Sequence, residues 1–213
     1  MNRAGLCAFA IVTAAAGTAH ADRREASLHA HAVGGALTLG DARSDGTGLA
    51  SGIAARASYA TSNAFQYDAQ LTLLAARASF ASASFMPAGR PPVSGPFTRS
   101  AQASRLDAGA TLRLGVQWIP TLRVAAGAQL VRRGAPTVDL GAATADGEEA
   151  TGVAAALDLN LVGIATVGLD YRVNRRLIVG AAAGVVQAVP GVGPTWRTFD
   201  VTLHAAYYWY PRW

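Results

Sequence analysis

Two residues near the start of the chain have the chemistry of a catalytic pair. Ser27 supplies a hydroxyl and His29 an imidazole two positions later, and acyl transfer on a lipid needs a nucleophile and a base within hydrogen-bond reach. Residues two apart face the same side of a β-strand, so a strand here would bring them together. Such pairs also arise by chance on any polar strand face. We therefore predict that the protein is not an enzyme, with a lipid A-modifying activity as one alternative.

Three histidines form a second candidate site. His29 and His31 share one face of the first segment, and His204 lies on the polar face of the last segment. If the first and last strands pair, these imidazoles approach the carboxylate of Asp200, and together they make a possible ligand set for zinc. The other interpretation is that they are polar fillers of a hydrogen-bonded interior. We favour the fillers and predict no cofactor.

Acidic and basic residues alternate with apolar ones, so a closed sheet would gather them inside. Eight strands enclose a lumen only wide enough for side chains, and an unpaired buried ion is strongly unfavourable. The near balance of signs therefore predicts a packed polar lumen, with a narrow pore for small solutes as the alternative. The predicted inward charges are Arg56, Asp68, Arg105, Asp107, Arg113, Arg123, Asp158, Asp170, Arg172 and Asp200, with Arg77 as a further candidate.

The elements that would hold these side chains are β-strands, because polarity along the chain repeats every second residue. Between Leu157 and Val173 the odd-numbered positions are apolar or glycine, whereas Asp158 and Asn160 lie among the even-numbered ones. A helix would bury these polar groups in an apolar cylinder, but a strand separates the two faces. The same alternation recurs over 65–73, 106–118 and 199–209.

Turn signals divide the chain into eight such segments. We predict strands over roughly 26–39, 49–60, 64–84, 102–118, 122–132, 151–172, 177–188 and 197–210, with a β-bulge where the alternation slips at Leu73 and Leu74. Three connections are tight, at 61–63, 119–121 and 174–176, and four are long, at 41–48, 85–101, 133–150 and 189–196. This alternation predicts an all-β fold, an eight-stranded antiparallel up-and-down transmembrane β-barrel.

Aromatic residues independently indicate a membrane. They gather on the apolar face near the tight turns and the carboxyl end, where amphipathic rings would lie at lipid-headgroup level. A soluble barrel would keep its apolar face inside and would have no reason to gather rings at one rim. The predicted girdle is Tyr59, Phe65, Tyr67, Trp118, Tyr171, Tyr207, Trp209 and Trp213. Candidates for a girdle at the opposite rim are Phe80, Phe85, Phe97, Trp196 and Phe199.

The amino end has the pattern of a secretory signal peptide. Arg3 precedes an apolar stretch over residues 4–16, which is too short to span a bilayer as a helix, and Ala-His-Ala at 19–21 is a cleavage signal. We therefore predict a cleaved signal peptide over 1–21 and one barrel domain over 22–213. The single cysteine, Cys7, lies in the signal, so the barrel domain has no thiol or disulfide chemistry.

With these features the chain resembles the small outer-membrane β-barrels of the OmpA/OmpX kind. The resemblance runs from about residue 26 to the end and is most specific in the last strand, where Leu203, Tyr207, Trp209 and the final Trp213 share one parity. Pro211 departs from the aromatic residue usual near that end. The resemblance implies a location in the bacterial outer membrane, periplasmic termini, a monomer, and folding by the barrel-assembly machinery that reads the terminal strand.

The charge pattern bears on partners and function. The net charge is +5, but the arginines are spread along the whole chain without a basic helix, so we predict no nucleic-acid binding. Guanidinium groups in the predicted loops could pair with phosphates of lipopolysaccharide, so outer-membrane lipid and lipopolysaccharide are the predicted partners. The alternative is that these charges only keep the loops soluble. These arginines are Arg43, Arg90, Arg99, Arg132, Arg133 and Arg197. The predicted function is a non-enzymatic barrel with an envelope-structural or surface-interaction role.

Overall fold

The computed structural model describes residues 25–41, 44–62, 64–85, 93–138, 155–189 and 195–209. The predicted signal segment, Trp213, Arg43 and Arg90 lie outside these ranges. The strands are β1 (Glu25–Asp41), β2 (Ser44–Ala60), β3 (Phe65–Phe85), β4 (Val93–Arg113), β5 (Trp118–Arg133), β6 (Thr137–Val138), β7 (Ala156–Arg172), β8 (Leu177–Ala188) and β9 (Trp196–Trp209). The two-residue strand β6 lies beside β4, and the other eight form the wall. In the part of the chain described, no helix is long and apolar enough to cross a membrane.

The wall closes on itself because β1 pairs antiparallel with both β2 and β9. This confirms the predicted eight-stranded up-and-down barrel. A path of paired residues that starts at Leu28 and crosses all eight strands returns to β1 at Thr38, ten residues further on. Eight strands staggered in this way enclose a lumen that side chains can fill.

The two ends of the barrel differ in their connections. The turns at 61–64, 114–117 and 173–176 lie at the same end as the start of β1 and the end of β9, and we call this end the turn rim. The opposite end is the loop rim. There Asp41 pairs with Ser44, so the predicted long loop at 41–48 is wrong. The glycines that indicated a loop are strand residues; a Cβ on Gly46 would collide with the inward ring of Phe80.

One predicted tight turn is misplaced. The connection between β4 and β5 is Leu114–Gln117, and residues 119–121 belong to β5. Gly115 adopts φ 98°, a left-handed conformation that glycine reaches without strain. Pro120 fits near the start of the strand because its carbonyl accepts the Leu114 N–H at 3.0 Å while it has no N–H to donate. β4 also begins at Val93, not near residue 102.

The alternation on β3 does not slip where the sequence predicted a bulge. Leu73 and Leu74 keep an unbroken register with β2, and Leu74 points inward and is buried. The register shift on this strand lies between Phe80 and Ala83. Because the parity continues, Arg77 points outward and is exposed, so its predicted inward position is wrong.

The outer wall is apolar, with rings gathered at the turn rim. Leu28, for example, is 54% exposed, as expected for a wall that faces lipid. The rings of Trp118 and Tyr171 are 4.7 Å apart, and those of Phe65 and Tyr67 are 5.1 Å apart. The outward aromatic residues of this rim are Tyr59, Phe65, Tyr67, Trp118, Tyr171, Tyr207 and Trp209.

The predicted girdle at the loop rim is wrong for three of its members. Phe80, Phe97 and Trp196 point into the lumen and are buried, whereas Phe199 points outward and is 53% exposed. Each of the three shares the parity of the inward residues on its own strand. Phe80, for example, follows the inward Asp68 by an even number of positions. The side chain of Phe85 lies outside the described residues.

Candidate functional site

Polar side chains, which we call the polar layer, fill most of the turn-rim half of the lumen. A small buried apolar cluster of Ile119, Ile178, Ala206 and Tyr208 lies beside them. The polar side chains come from seven of the eight wall strands, so closure of the barrel is what brings them together. Most are fully buried, which demands that they satisfy one another. The layer consists of Ser27, His29, His31, Arg56, Ser58, Gln66, Asp68, Gln70, Arg105, Asp107, Thr111, Arg113, Arg123, Asp170, Asp200 and His204.

The centre of the polar layer is an ion-pair cluster around Arg123. Its guanidinium contacts the carboxylates of Asp68 and Asp107, the latter at 2.6 Å. Asp107 also accepts from Arg105 Nε at 3.2 Å, and Nη1 of Arg105 lies 3.9 Å from Asp200 Oδ2. Two guanidinium groups and three carboxylates from four strands therefore hold one another in place across the lumen.

Ser27 and His29 lie within hydrogen-bond reach, but their geometry is not that of a nucleophile and its base. Ser27 Oγ is 2.9 Å from His29 Nε2, and Ser58 Oγ is 3.0 Å from the same nitrogen. Arg56 Nη2 lies 3.0 Å from His29 Nδ1, and a guanidinium can only donate. Nδ1 must therefore be the acceptor, so a neutral His29 carries its proton on Nε2. That nitrogen donates to the hydroxyls and cannot take their protons.

The three histidines gather where β1 pairs with β9, and their rings lie beside other side chains of the polar layer. The ring centroids of His31 and His204 are 4.9 Å apart, and those of His29 and His31 are 5.9 Å apart. Both nitrogens of His29 have other partners, and His204 Nε2 lies 3.0 Å from Asp170 Oδ1. Among the described residues, no group of three His, Cys, Asp or Glu side chains is placed to hold a metal ion.

The rest of the polar layer depends on close packing at two places. Arg113 lies over the ring of Tyr208, with Cζ 5.1 Å from the centroid, a cation–π contact. Gly180 faces the contact between Asp170 and His204, and a Cβ there would collide with both side chains. Arg172 is half-buried at the end of β7 and makes no ion pair with the described residues.

The loop-rim half of the lumen contains a large buried apolar cluster, which contradicts a lumen that is polar throughout. Phe80 and Phe97 stack with centroids 4.3 Å apart, and Trp196 is 0% exposed in the same buried cluster. The sequence contained this signal, because many inward positions toward the loop rim are apolar. We call the following set the apolar plug: Leu37, Leu39, Leu74, Phe80, Phe97, Val131, Val162, Val186 and Trp196.

Four of the arginines assigned to loops occupy strand positions instead. Arg99 points inward and donates through Nε to the Gly134 carbonyl at 2.8 Å. Arg133 also points inward, and its Nε lies 2.7 Å from Asp158 Oδ2. Arg132 and Arg197 lie on the outward faces of β5 and β9 and are exposed. The prediction of loop positions is therefore wrong for all four.

A small cavity lies within the polar layer. It has a volume of about 50 Å³, and its lining includes His31, Arg105 and Asp200. Buried atoms of the same residues, such as His31 Nε2 and Arg105 Nη1, have no hydrogen-bond partner among the described residues. A cavity of this size with several polar walls has room for ordered water.

A closed antiparallel barrel with an apolar outer wall, a ring of aromatic residues at one rim and a filled lumen defines an outer-membrane β-barrel. Three solved structures of such proteins are similar to this chain. OprG, an outer membrane protein from Pseudomonas aeruginosa, has a TM-score of 0.56 at 10% identity, over 91% of this chain and 99% of that one. Ail, the attachment invasion locus protein of Yersinia pestis, has a TM-score of 0.48 at 10% identity, over 88% and 100%.

Neisserial surface protein A is the third, with a TM-score of 0.48 at 12% identity, over 84% of this chain and 96% of that one. Neither a protein-family model nor a curated protein sequence matches the chain. The likeness to OprG shows that the two proteins share a fold, that of the small outer-membrane β-barrels. At this identity the likeness extends to the fold alone.

Proposed function

We propose that the protein is a non-enzymatic integral barrel of the bacterial outer membrane, with a sealed lumen and an envelope-structural or surface-interaction role. The observation that carries the proposal is the filling of the lumen at two levels. The ion pairs of the polar layer fill the turn-rim half, and the stacked rings of the apolar plug fill the loop-rim half.

The alternative of a conduit for small solutes is less well supported. A continuous pore needs free cross-section along the whole lumen, whereas the cavity in the polar layer holds about 50 Å³ and the plug residue Trp196 is fully buried. Water and ions crossing the polar layer would next meet an apolar constriction, which opposes their passage.

The geometry around His29 supports a non-enzymatic role. The guanidinium of Arg56 occupies the Nδ1 side, where a catalytic triad has a carboxylate that accepts a hydrogen bond. Ser27 is 2% exposed and points into the lumen, so a lipid ester in the membrane has no route to its hydroxyl. We therefore propose that the serine and histidine are structural.

The length of the strands supports a role at the cell surface. β3 and β4 have 21 residues each, and about 9–11 residues suffice to cross the hydrocarbon core. The wall therefore extends beyond the membrane and presents its loop rim to the outside. We further propose a cleaved signal peptide, periplasmic termini, a monomer surrounded by outer-membrane lipid and lipopolysaccharide, and insertion by the barrel-assembly machinery.

Solute flux through reconstituted vesicles tests the proposal. Vesicles that contain the folded protein should not swell faster than empty vesicles in an isotonic small sugar. The positive control opens both levels: Phe80→Ala, Phe97→Ala and Trp196→Ala remove the rings of the plug, and Asp107→Ala with Arg123→Ala removes the central ion pair of the polar layer. Heat-dependent electrophoretic mobility verifies that each protein is folded. Rapid swelling with the native chain would contradict a sealed lumen.

Incubation of the same native vesicles with lipid A tests the non-enzymatic role. No fatty acid should be released. Release that is abolished by Ser27→Ala would overturn this part of the proposal.

A further inference from the structure

A polar patch interrupts the apolar outer wall on β3, β4 and β5. Two exposed arginines flank it, and the side chains between them are hydroxyls and one amide, all of them outward. Strand register sets their positions: Arg77 pairs with Ser100, and Gln102 pairs with Arg132. This outer patch consists of Arg77, Ser79, Thr98, Ser100, Gln102 and Arg132.

The patch lies at the upper edge of the apolar belt. Arg77 follows the girdle residue Tyr67 by ten residues along β3, and a strand needs about 9–11 residues to cross the hydrocarbon core. Below the patch the outward residues of these strands, such as Leu71, Leu106 and Leu122, are apolar and exposed. Arg77 is therefore level with the headgroups of one leaflet when Tyr67 is level with those of the other.

The charge of the patch is positive, and no described residue of these three strands compensates it on the outer face. The outward positions of β3, β4 and β5 that the structure describes carry no Asp or Glu. Arg77 Nη2 donates to Thr98 Oγ1 at 3.3 Å, and neither Arg77 nor Arg132 forms an ion pair with a described carboxylate. Within the part of the chain that the structure describes, both guanidinium groups are therefore available to bind an anion from outside the protein.

We infer that this patch binds the phosphorylated sugar headgroup of a glycolipid in the outer leaflet. The inference rests on the outer-membrane location proposed above. Guanidinium groups bind phosphate oxygens with two parallel N–H bonds, and the hydroxyls and the Gln102 amide match the hydroxyls and amides of a sugar. The exposed leucines below the patch would contact the acyl chains of the same molecule. An inner-leaflet phospholipid would instead place its phosphate at the opposite rim.

Binding of purified bis-phosphorylated lipid A to the folded barrel in detergent micelles tests the inference. The test variant is Arg77→Gln with Arg132→Gln. Its matched control, Arg175→Gln with Arg176→Gln, removes the same charge from the exposed turn at the opposite rim. Binding is measured by native mass spectrometry, and heat-dependent mobility verifies that each variant is folded.

We expect the apparent Kd of the test variant to rise at least about tenfold, because charge-assisted hydrogen bonds to phosphate are lost. The control variant should bind like the native chain. Arg77→Lys with Arg132→Lys should give an intermediate Kd, because charge remains but the paired N–H geometry is lost. Lipid A without phosphates should bind weakly to every variant.

Equal binding by the test variant and the native chain would overturn the inference, as would equal binding of dephosphorylated lipid A. Full competition by millimolar inorganic phosphate would also overturn it, because the patch would then be a site for free phosphate. None of these outcomes alters the swelling or fatty-acid release measurements, so a failed patch and a failed proposed function remain distinguishable.

Discussion

The two halves of the lumen solve the same packing problem in different ways. In the turn-rim half, buried ions such as Arg123 and Asp107 hold one another at 2.6 Å. In the loop-rim half, Phe80 and Phe97 stack in a buried cluster whose other members are also apolar. Six strands contribute inward residues to both the polar layer and the apolar plug, so along these strands the character of the lumen changes with position on the barrel axis.

The difference shows that inward orientation and polarity are separate properties. The outer wall must be apolar because it faces lipid, but the lumen faces only itself. Ion pairs fix geometry because each charge needs its partner, and apolar side chains exclude water by dense packing. The barrel uses both, which makes its closure depend on two independent sets of contacts.

The largest expected effect comes from leaving a buried ion without its partner. Asp107→Ala removes the carboxylate between Arg105 and Arg123, and uncompensated buried charge costs about 3–5 kcal/mol. We expect the free energy of unfolding to fall by that amount in urea titrations of vesicle-embedded protein, followed by tryptophan fluorescence. A loss below about 1 kcal/mol would show that water solvates this half of the lumen.

A cavity in the apolar plug should cost nearly as much. Leu37 is 2% exposed, and Leu37→Ala should lower the free energy of unfolding by about 3 kcal/mol, since neighbours relax only partly around a void. Leu28→Ala is the matched control on the same strand. Because acyl chains fill the space at a lipid-facing position, its effect should be clearly smaller. Equal losses at both positions would mean that the plug is not tightly packed.

A smaller effect is expected from overpacking the polar layer. Gly180→Ala places a methyl group against Asp170 and His204 and should lower the free energy of unfolding by about 1–3 kcal/mol. Gly163→Ala is the control, because nothing lies within 4 Å of a Cβ at that outward position. The same urea titration compares them. If Gly180→Ala were neutral, the Asp170–His204 contact would not be part of the packed layer.

The smallest effect should come from the ion pair at the loop rim. Asp158 and Arg133 are 2.7 Å apart, but their side chains are 21% and 11% exposed, so solvent screens the pair. Asp158→Ala should cost at most about 1 kcal/mol and should lose that effect at high salt. A loss as large as that of Asp107→Ala would place the pair within the sealed interior.

The fold was predictable because lipid imposes a strict alternation on the wall. Leu157, Leu159 and Leu161 alternate with polar residues, and each lies outward as predicted. The prediction failed where both faces of a strand are apolar. Two successive leucines at 73 and 74 predict a bulge only if every inward residue is polar, whereas Leu74 points inward and belongs to the plug. The predicted boundary between β4 and β5 is wrong for a related reason. Leu114, Val116 and Trp118 continue the alternation across the turn that Gly115 makes.

The inward orientation of the aromatic side chains in the plug was predictable from parity alone. Trp196 shares its parity with Asp200, and Phe97 shares its parity with Arg105. Because these residues are aromatic, they are instead predicted as members of a girdle at the membrane interface. The partners within the polar layer could not be predicted, because the stagger of the strands decides which inward residues meet. The contact of Arg56 with His29, which fixes the proton on the histidine, follows from that register.

Single-channel recording in a planar lipid bilayer tests the sealed lumen most directly. The folded native protein, added at a concentration at which the five-substitution control variant opened at both levels inserts and conducts, should produce no discrete conductance steps in molar salt. Reproducible steps from the native protein, of a size that changes with Arg105→Ala or Arg123→Ala, would mean that ions pass through the polar layer and would contradict a sealed barrel.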